Sequence, residues 1–415
     1  PVCIPARRTL ISGQSPDTHG LWKYQDGLEW DPPNTLPGLL RDAGYQTQLI
    51  GKLHLHPQGK RYGYDHIILS ETSNWRPGSA HQGRNDYVRW LRRNGVEQHP
   101  HIHGINGNGR LARPWPFEER FHQNSWLAQE ADRFLTEDRD PSCPFFLHLS
   151  FFHPHPPLVP VDHYLRRYLE KDLPTPALGG WSALDQPSAG GIAADRATGP
   201  FEPEIIRRAT AAYYALITHI DDCIAYVIER WLEYGNPRAR EPLYILFSSD
   251  HGEMLGDHHL FRKSLGYEAS ARIPYFLSGY NVDLPGNESD QLVCWEDIAP
   301  TLLDLAGVDP PDSMDGRSLA PMLGGGEPGS PRRFIYGECG GRYHNQWVTT
   351  GKRKYIFFPG TGEEQVFNLE NDPNETRDLS GDEATLSELR RTFDQAMEER
   401  GQPPPTEHNP CRNQR

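Results

Sequence analysis

Apolar runs separated by Gly and Pro divide this chain into elements. Tyr45-Gln-Thr-Gln-Leu-Ile50 alternates polar and apolar positions and predicts a strand. Pro144-Phe-Phe-Leu-His-Leu-Ser-Phe151 is a near-continuous apolar run, the pattern of a buried strand, Pro242-Leu-Tyr-Ile-Leu-Phe247 is another apolar strand, and Arg272-Ile-Pro-Tyr-Phe-Leu-Ser278 reads as one further strand. Helices are predicted between them. Pro33 to Gly44 and Asp297 to Gly307 each close on a glycine. From Glu204 to Tyr234 there is no Gly or Pro, and Ile206, Tyr213, Ile217, Ile220, Ile224, Ile228 and Trp231 recur at helical spacing before Gly235. That stripe predicts a long helix packed on the sheet. Residues 57–125, rich in Gly, Pro, His and Asn, read as loops with short helices placed to wall a pocket, and residues 181–200 as a flexible loop.

Strand and helix alternate, which favours an α/β sheet sandwiched by helices. Gly324-Gly-Gly-Glu-Pro-Gly-Ser-Pro331 is the clearest linker. Beyond it, strands are predicted at 333–338, 345–350, 353–359 and 365–369 and a helix at 382–399. The expected division is a main α/β domain at 1–323, a linker at 324–331, a small antiparallel sheet with a helix at 332–400, and a polar tail at 401–415.

Charge narrows the partners. The chain of 415 residues carries 42 basic and 56 acidic side chains, a net charge of −14, so no global basic field invites nucleic acid or a membrane surface. No apolar stretch reaches the length of a membrane span. The six cysteines (3, 143, 223, 294, 339, 411) have no metal-type spacing and, apart from Cys3, are expected to be reduced and unpaired. The sequence opens at Pro1 rather than Met, so upstream sequence is expected, and a cytoplasmic, periplasmic or secreted location stays open. The sequons at Asn287 and Asn374 carry little weight for the same reason.

Candidate chemistry falls at element ends. Cys3-Ile-Pro-Ala-Arg-Arg-Thr-Leu-Ile-Ser-Gly13 sets a thiol at a helix start, where unbonded N–H groups favour an anion. From the residues alone the thiol is either a low-pKa nucleophile or a small buried side chain. Gly51-Lys-Leu-His-Leu-His56 follows a strand, and Lys52 and His54 would share one face if the strand continued. Phe152-His-Pro-His-Pro-Pro-Leu158 follows another, its prolines stiffening the exit. Ser248-Ser-Asp-His-Gly-Glu then leads to Lys263. Asp250 and His251 are a carboxylate and an imidazole able to share a divalent ion, or else a turn feature. Asp221 and Asp222 are adjacent on a helix and face different ways, so they read as structural. Arg84, Asn85, His101, His103 and Asn106 are read as solvated loop residues, with substrate contact as the alternative.

The run from Cys3 to Gly13 resembles the sulfatase family, whose Cys-x-Pro-x-Arg motif is followed by x-x-Leu-x-(Ser/Thr)-Gly. The resemblance covers nearly the whole chain, including Met314-Asp-Gly-Arg-Ser-Leu-Ala-Pro321, and thins at 57–125 and 160–200. It implies the alkaline-phosphatase-like fold and oxidation of Cys3 to formylglycine by a formylglycine-generating enzyme. It implies that Arg7 holds the hydrated aldehyde, that Lys52 and Lys263 bind the sulfate, and that His54 bonds the formylglycine hydroxyl. His155 matches the histidine that protonates the leaving alcohol; His153 has no such match. Asp250, His251 and position 3 as formylglycine match ligands of one divalent cation. Where many relatives have Asp-Asn, this chain has Asp-His, which leans from pure calcium toward magnesium, manganese or a mixed preference.

The implied reaction is hydrolysis of a sulfate monoester of a small molecule or saccharide. The second hydroxyl of the sulfated diol loses its proton, sulfate leaves by C–O cleavage, and the aldehyde returns. A phosphonate monoester or phosphodiester hydrolase of the same superfamily is the alternative, and a non-catalytic binding protein the remote one. The family also carries a first metal segment upstream of its cysteine. The sequence given is therefore expected to bind metal poorly and to be inactive alone, with a gap in the sheet.

Overall fold

The computed structural model describes residues 2–71, 84–96, 107–182, 197–235, 243–279, 288–323, 331–341 and 343–402. His101, His103, Asn106, Asn287, Cys411, linker residues 324–330 and the tail beyond 402 lie outside them. The chain forms two compact units, each drawn from separated stretches. One is Asp26–Thr175 with Pro187–Pro242; the other is Pro1–Gln25, Pro176–Gln186 and Leu243–Arg415.

The first unit holds a parallel sheet of β1 (Gln46–Gly51), β2 (His66–Leu69) and β3 (Phe145–Ser150) in the order β2-β1-β3. Gly51 is in register with both Leu69 and Ser150, so the three strands end at one level. Gly51 has φ 118°, and a Cβ there would lie 1.9 Å from the Ser150 carbonyl oxygen, so only glycine allows this approach. Helix α2 (Leu36–Asp42) is capped by Thr35, whose Oγ1 accepts the Gly38 N–H at 3.1 Å. Strand β2 corrects the reading of 57–125 as loops with short helices, the helices being α3 (Asp86–Arg93) and the start of α4 (Gln123–Arg133). His66-Ile-Ile-Leu69 is too short for periodicity to show, and polar, Gly-rich neighbours mask it.

Helix α5 (Asp162–Leu169) packs on α6 (Pro203–Arg230), and Tyr164 donates its hydroxyl to Asp222 Oδ2 at 2.7 Å. The buried stripe of α6 is not the one its isoleucines predict. Ala209, Ala212, Ala215, Leu216, His219, Ile220, Cys223 and Val227 are buried, whereas Ile217 is 44% exposed. Alanines let α6 approach its neighbours closely, and that packing outweighs the pull of the larger side chains.

The second unit contains α1 (Cys3–Ser12) and an antiparallel pair, β4 (Tyr244–Ser248) with β5 (Tyr275–Gly279). On this pair Phe247 and Phe276 are 41% and 64% exposed, with ring centroids 5.9 Å apart. Short helix α7 (Glu268–Ala271) lies between the two strands, and α8 (Ile298–Leu305) and α9 (Ala320–Leu323) follow them. An antiparallel meander β6 (Ile335–Cys339), β7 (Asn345–Thr349), β8 (Arg353–Phe358) and β9 (Glu363–Asn368) then leads to α10 (Glu383–Glu399).

Period-two alternation buries both faces of the meander. Val348, Tyr355 and Val366 pack against Leu389 and Phe393 of α10. Their neighbours Trp347, Ile356 and Phe367 pack on the other side against Met254, Leu265, Tyr267 and Val2. The second face therefore backs the residue before Cys3 and the segment after His251. Among the described residues Cys3, Cys143, Cys223, Cys294 and Cys339 form no disulfide. No helix of the described residues is long and apolar enough to cross a membrane.

Candidate active site

Cys3 is the first residue of α1 and is 2% exposed. The helix is fastened at several points. Gly13 ends it at φ 67°, donating its N–H to Thr9 O at 2.7 Å. Asp315 donates its N–H to Gly13 O at 2.9 Å, and its Oδ2 accepts the Ser15 N–H at 2.7 Å. The Met314-Asp-Gly segment is thus a clasp on the end of the cysteine helix. At the other end Trp295 Nε1 donates to Ala6 O. Trp295 stands beside fully buried Asp297, which receives the Cys294 and Arg317 N–H groups and both terminal nitrogens of Arg332.

Asp250 and His251 lie just past the end of β4. Arg7 Nε donates to Asp250 Oδ2 at 2.9 Å, with the two side chains 9% and 13% exposed. His251 Nδ1 lies 2.8 Å from Gly252 O; a carbonyl only accepts, so Nδ1 carries the proton. The lone pair is then on Nε2, which lies 3.1 Å from Cys3 Sγ and 3.5 Å from Asp250 Oδ1. One ligand atom from each of Cys3, Asp250 and His251 falls within 4.8 Å of the others. The sulfur occupies the place that an oxygen of formylglycine would take. A carboxylate oxygen, an imidazole nitrogen and that oxygen are hard or borderline donors, and they fit a divalent cation better than a thiolate site would.

A tight hairpin follows. Met254 donates its N–H to Arg262 O and Gly256 to Leu260 O, both at 2.7 Å. Glu253 Oε1 accepts the N–H groups of Leu255 and Arg262. The reversal needs left-handed backbone at Leu255, His258, His259 and Arg262. It returns half-buried Lys263 to the open end, from which residues 250–252 depart. At the tip, Asp257 Oδ1 accepts the Ala177 N–H at 2.8 Å, and buried His258 meets the Trp181 ring at 4.5 Å.

The other candidates belong to the unit with β1 to β3. Strand β1 stops at Gly51, and His54 has φ 55°, so Lys52 and His54 do not share a face of a continuing strand as expected. They sit on a turn that Glu71 grips: its Oε1 accepts the Leu53 and His54 N–H groups, each at 3.1 Å. Lys52 is 2% exposed, its Nζ 5.5 Å from the centroid of the Phe152 ring. His155 Nδ1 donates to Pro156 O at 2.7 Å, so any proton exchanged with a ligand is carried on Nε2. His153 is buried, with Nδ1 3.0 Å from Asn124 Oδ1. Arg84 and Asn85 have structural partners: Arg84 pairs with Asp86, and Asn85 caps α3 through the Val88 N–H.

The structure therefore gathers Cys3, Arg7, Asp250 and His251, with Lys263 in the same unit. It sets Lys52, His54 and His155 at strand exits of the other unit. Sequence reasoning missed Glu71, His122 and Asn124. The available signals were an acid two residues past an apolar tetrad, and a His-x-Asn at a helix start.

The family model described as Sulfatase matches residues 1–308, and one described as N-sulphoglucosamine sulphohydrolase, C-terminal, matches residues 256–402. The chain is 37% identical over 402 residues to an arylsulfatase of Clostridium perfringens, covering 92% of this chain and 81% of that protein. It is 29% identical over 417 residues to a choline-sulfatase of Rhizobium meliloti, covering 94% and 76%. The fold superposes on the phosphonate monoester hydrolase of Agrobacterium radiobacter with a TM-score of 0.75 at 22% identity, over 96% of this chain and 86% of that one.

Proposed function

We propose a formylglycine-based hydrolysis on one premise: this chain belongs to the sulfatase family. It is a hydrolase acting on sulfuric ester bonds, on the alkaline-phosphatase-like fold. The observation behind the finer reading is the cluster of Cys3, Asp250 and His251, whose ligand atoms lie within 4.8 Å of one another.

Asp250, His251 and position 3, as formylglycine, hold one divalent cation, with calcium, magnesium and manganese the candidates. When bound, that cation supplies positive charge for the sulfate oxygens and acidifies the position-3 hydroxyl. Arg7 neutralises Asp250 and fixes its direction. Lys263, returned by the hairpin, neutralises anionic substrate oxygens. Lys52 shares that task, His54 bonds the formylglycine hydroxyl, and His155 gives a proton to the departing alkoxide. The roles of Lys263, Lys52, His54 and His155 rest on the family motifs. The substrate is a sulfated small molecule or saccharide, and maturation requires a formylglycine-generating enzyme.

The test is the mass of the peptide containing residue 3, from the complete gene product co-expressed with that enzyme. A mass matching the aldehyde or its hydrate, with turnover of 4-nitrophenyl sulfate above that of an aryl phosphonate monoester, is the expected result. Unmodified cysteine, while a control sulfatase is converted in the same cells, overturns the reading.

A further inference from the structure

The first turn of α4 bonds directly to one segment that carries a proposed catalytic residue in its unit, and through Ser70 to the other. His122 is the N-cap. Its Nδ1 accepts the Asn124 N–H at 3.2 Å, and its Nε2 donates to Val159 O at 3.3 Å. With one nitrogen accepting and the other donating, this imidazole is neutral in place. Asn124 Oδ1 receives the His153 Nδ1 proton at 3.0 Å. Gln123 Nε2 donates to Ser70 Oγ at 2.5 Å, and Ser70 donates its N–H to Gly51 O at 3.0 Å. All five side chains are buried, His122, Asn124 and Ser70 completely.

These contacts divide the work. Gln123, through Ser70, reaches the end of β1, where the Lys52–His54 turn begins. His122 and Asn124 grip the two ends of the segment from His153 to Val159. His155 lies between those grips, tied within the segment by its own bond to Pro156 O. The rings of His122 and His153 are 5.0 Å apart, and that of His219 is 4.7 Å from His122. Among the described residues no metal cluster includes these histidines. The chemistry proposed above gives the trio no task.

We infer that His122 and Asn124 are positioning residues for protonation of the leaving alcohol, holding the His153–Val159 segment so that His155 meets the ester oxygen. The inference rests on the proposed role of His155 as the acid. A positioned acid matters most when the leaving group is poor, because more negative charge then builds on the departing oxygen. A group that fixes the acid should show the same selectivity. A residue needed only for folding would lower all substrates alike.

The experiment compares kcat/KM for a series of aryl sulfates, from 4-nitrophenyl to phenyl, in the complete, formylglycine-matured and metal-loaded enzyme. The expected result for Asn124→Ala is a loss on phenyl sulfate about 10- to 100-fold larger than on 4-nitrophenyl sulfate, part of the 10²- to 10⁴-fold that general acids supply. His155→Ala should show the same steepening in fuller form. If Asn124→Ala does not fold, His122→Phe keeps a ring in place but removes the grip on Val159, and carries the same expectation. A uniform loss across the series in the variant at 124 or 122, with steepening in His155→Ala, overturns the positioning role and leaves the acid in place. A flat response in His155→Ala overturns both.

Discussion

Arg7 Nε donates to Asp250 Oδ2 across 2.9 Å, and the other oxygen of the same carboxylate is the one 3.5 Å from His251 Nε2. The guanidinium therefore settles which oxygen Asp250 turns toward the Cys3 cluster. Partners that hold a metal ligand in this way commonly account for 10- to 100-fold in affinity. Arg7→Ala should weaken divalent-cation binding in the matured enzyme by about that factor, measured by titration against a fluorescent chelator. Arg7→Lys should recover little, since an ammonium cannot reproduce the planar donor. Unchanged affinity in Arg7→Ala would show that Asp250 is oriented without it.

Gly13 closes the cysteine helix at φ 67°, and a Cβ there would sit 2.6 Å from Met314 Sδ. Two costs follow, one in the backbone and one in the clasp. Gly13→Ala should lower unfolding stability by about 1–3 kcal/mol, from left-handed strain and overpacking together. Adding Met314→Ala should remove only the steric share. Urea melts of the two variants test this: full rescue by the second change would mean the backbone strain is negligible.

Acid sensitivity has a clear sign at three histidines. Burial is the main cause holding His19, His219 and His258 neutral, with pKa values lowered to about 4. An unfolded chain protonates them near pH 6.5, so between there and pH 4 the unfolded state binds more protons. Their contribution to stability is complete above about pH 6.5 and is lost as pH falls toward 4. Buried carboxylates such as Asp257, raised by desolvation, act in the opposite direction. A single-site comparison is therefore needed. His258→Phe, in a pocket already lined by Trp181 and Tyr267, should flatten the fall in urea midpoint between pH 7 and 4.5. An unchanged slope would count against a neutral His258 in the folded protein.

Much of this was legible because strand and helix signals here are strong. The four strands of the C-terminal meander lie within a residue or two of the expected ranges, since each has a period-two face on both sides and a polar turn between. The site motifs were legible as spacing. What spacing could not give was company. Nothing near Leu53 or His54 in sequence says that Glu71 holds their backbone, because that contact depends on β1 and β2 lying in register. The α6 stripe failed for a related reason: hydrophobicity marks large side chains, but close packing selected alanines. His54 departed from the strand pattern because its backbone is left-handed, which no residue type but glycine announces.

Cys3 and His251 meet across 248 residues of chain. At synthesis rates of about 5–20 residues per second, that separation is a delay of ~12–50 s between making the thiol and making its partner. Throughout that interval the cysteine belongs to a nascent peptide with neither Asp250 nor His251 to fold against. In the finished unit the same residue is only 2% exposed. The order of synthesis thus sets a clock: a modifying enzyme that needs an accessible Cys3 has its opportunity early, before the far end of the chain arrives to bury it.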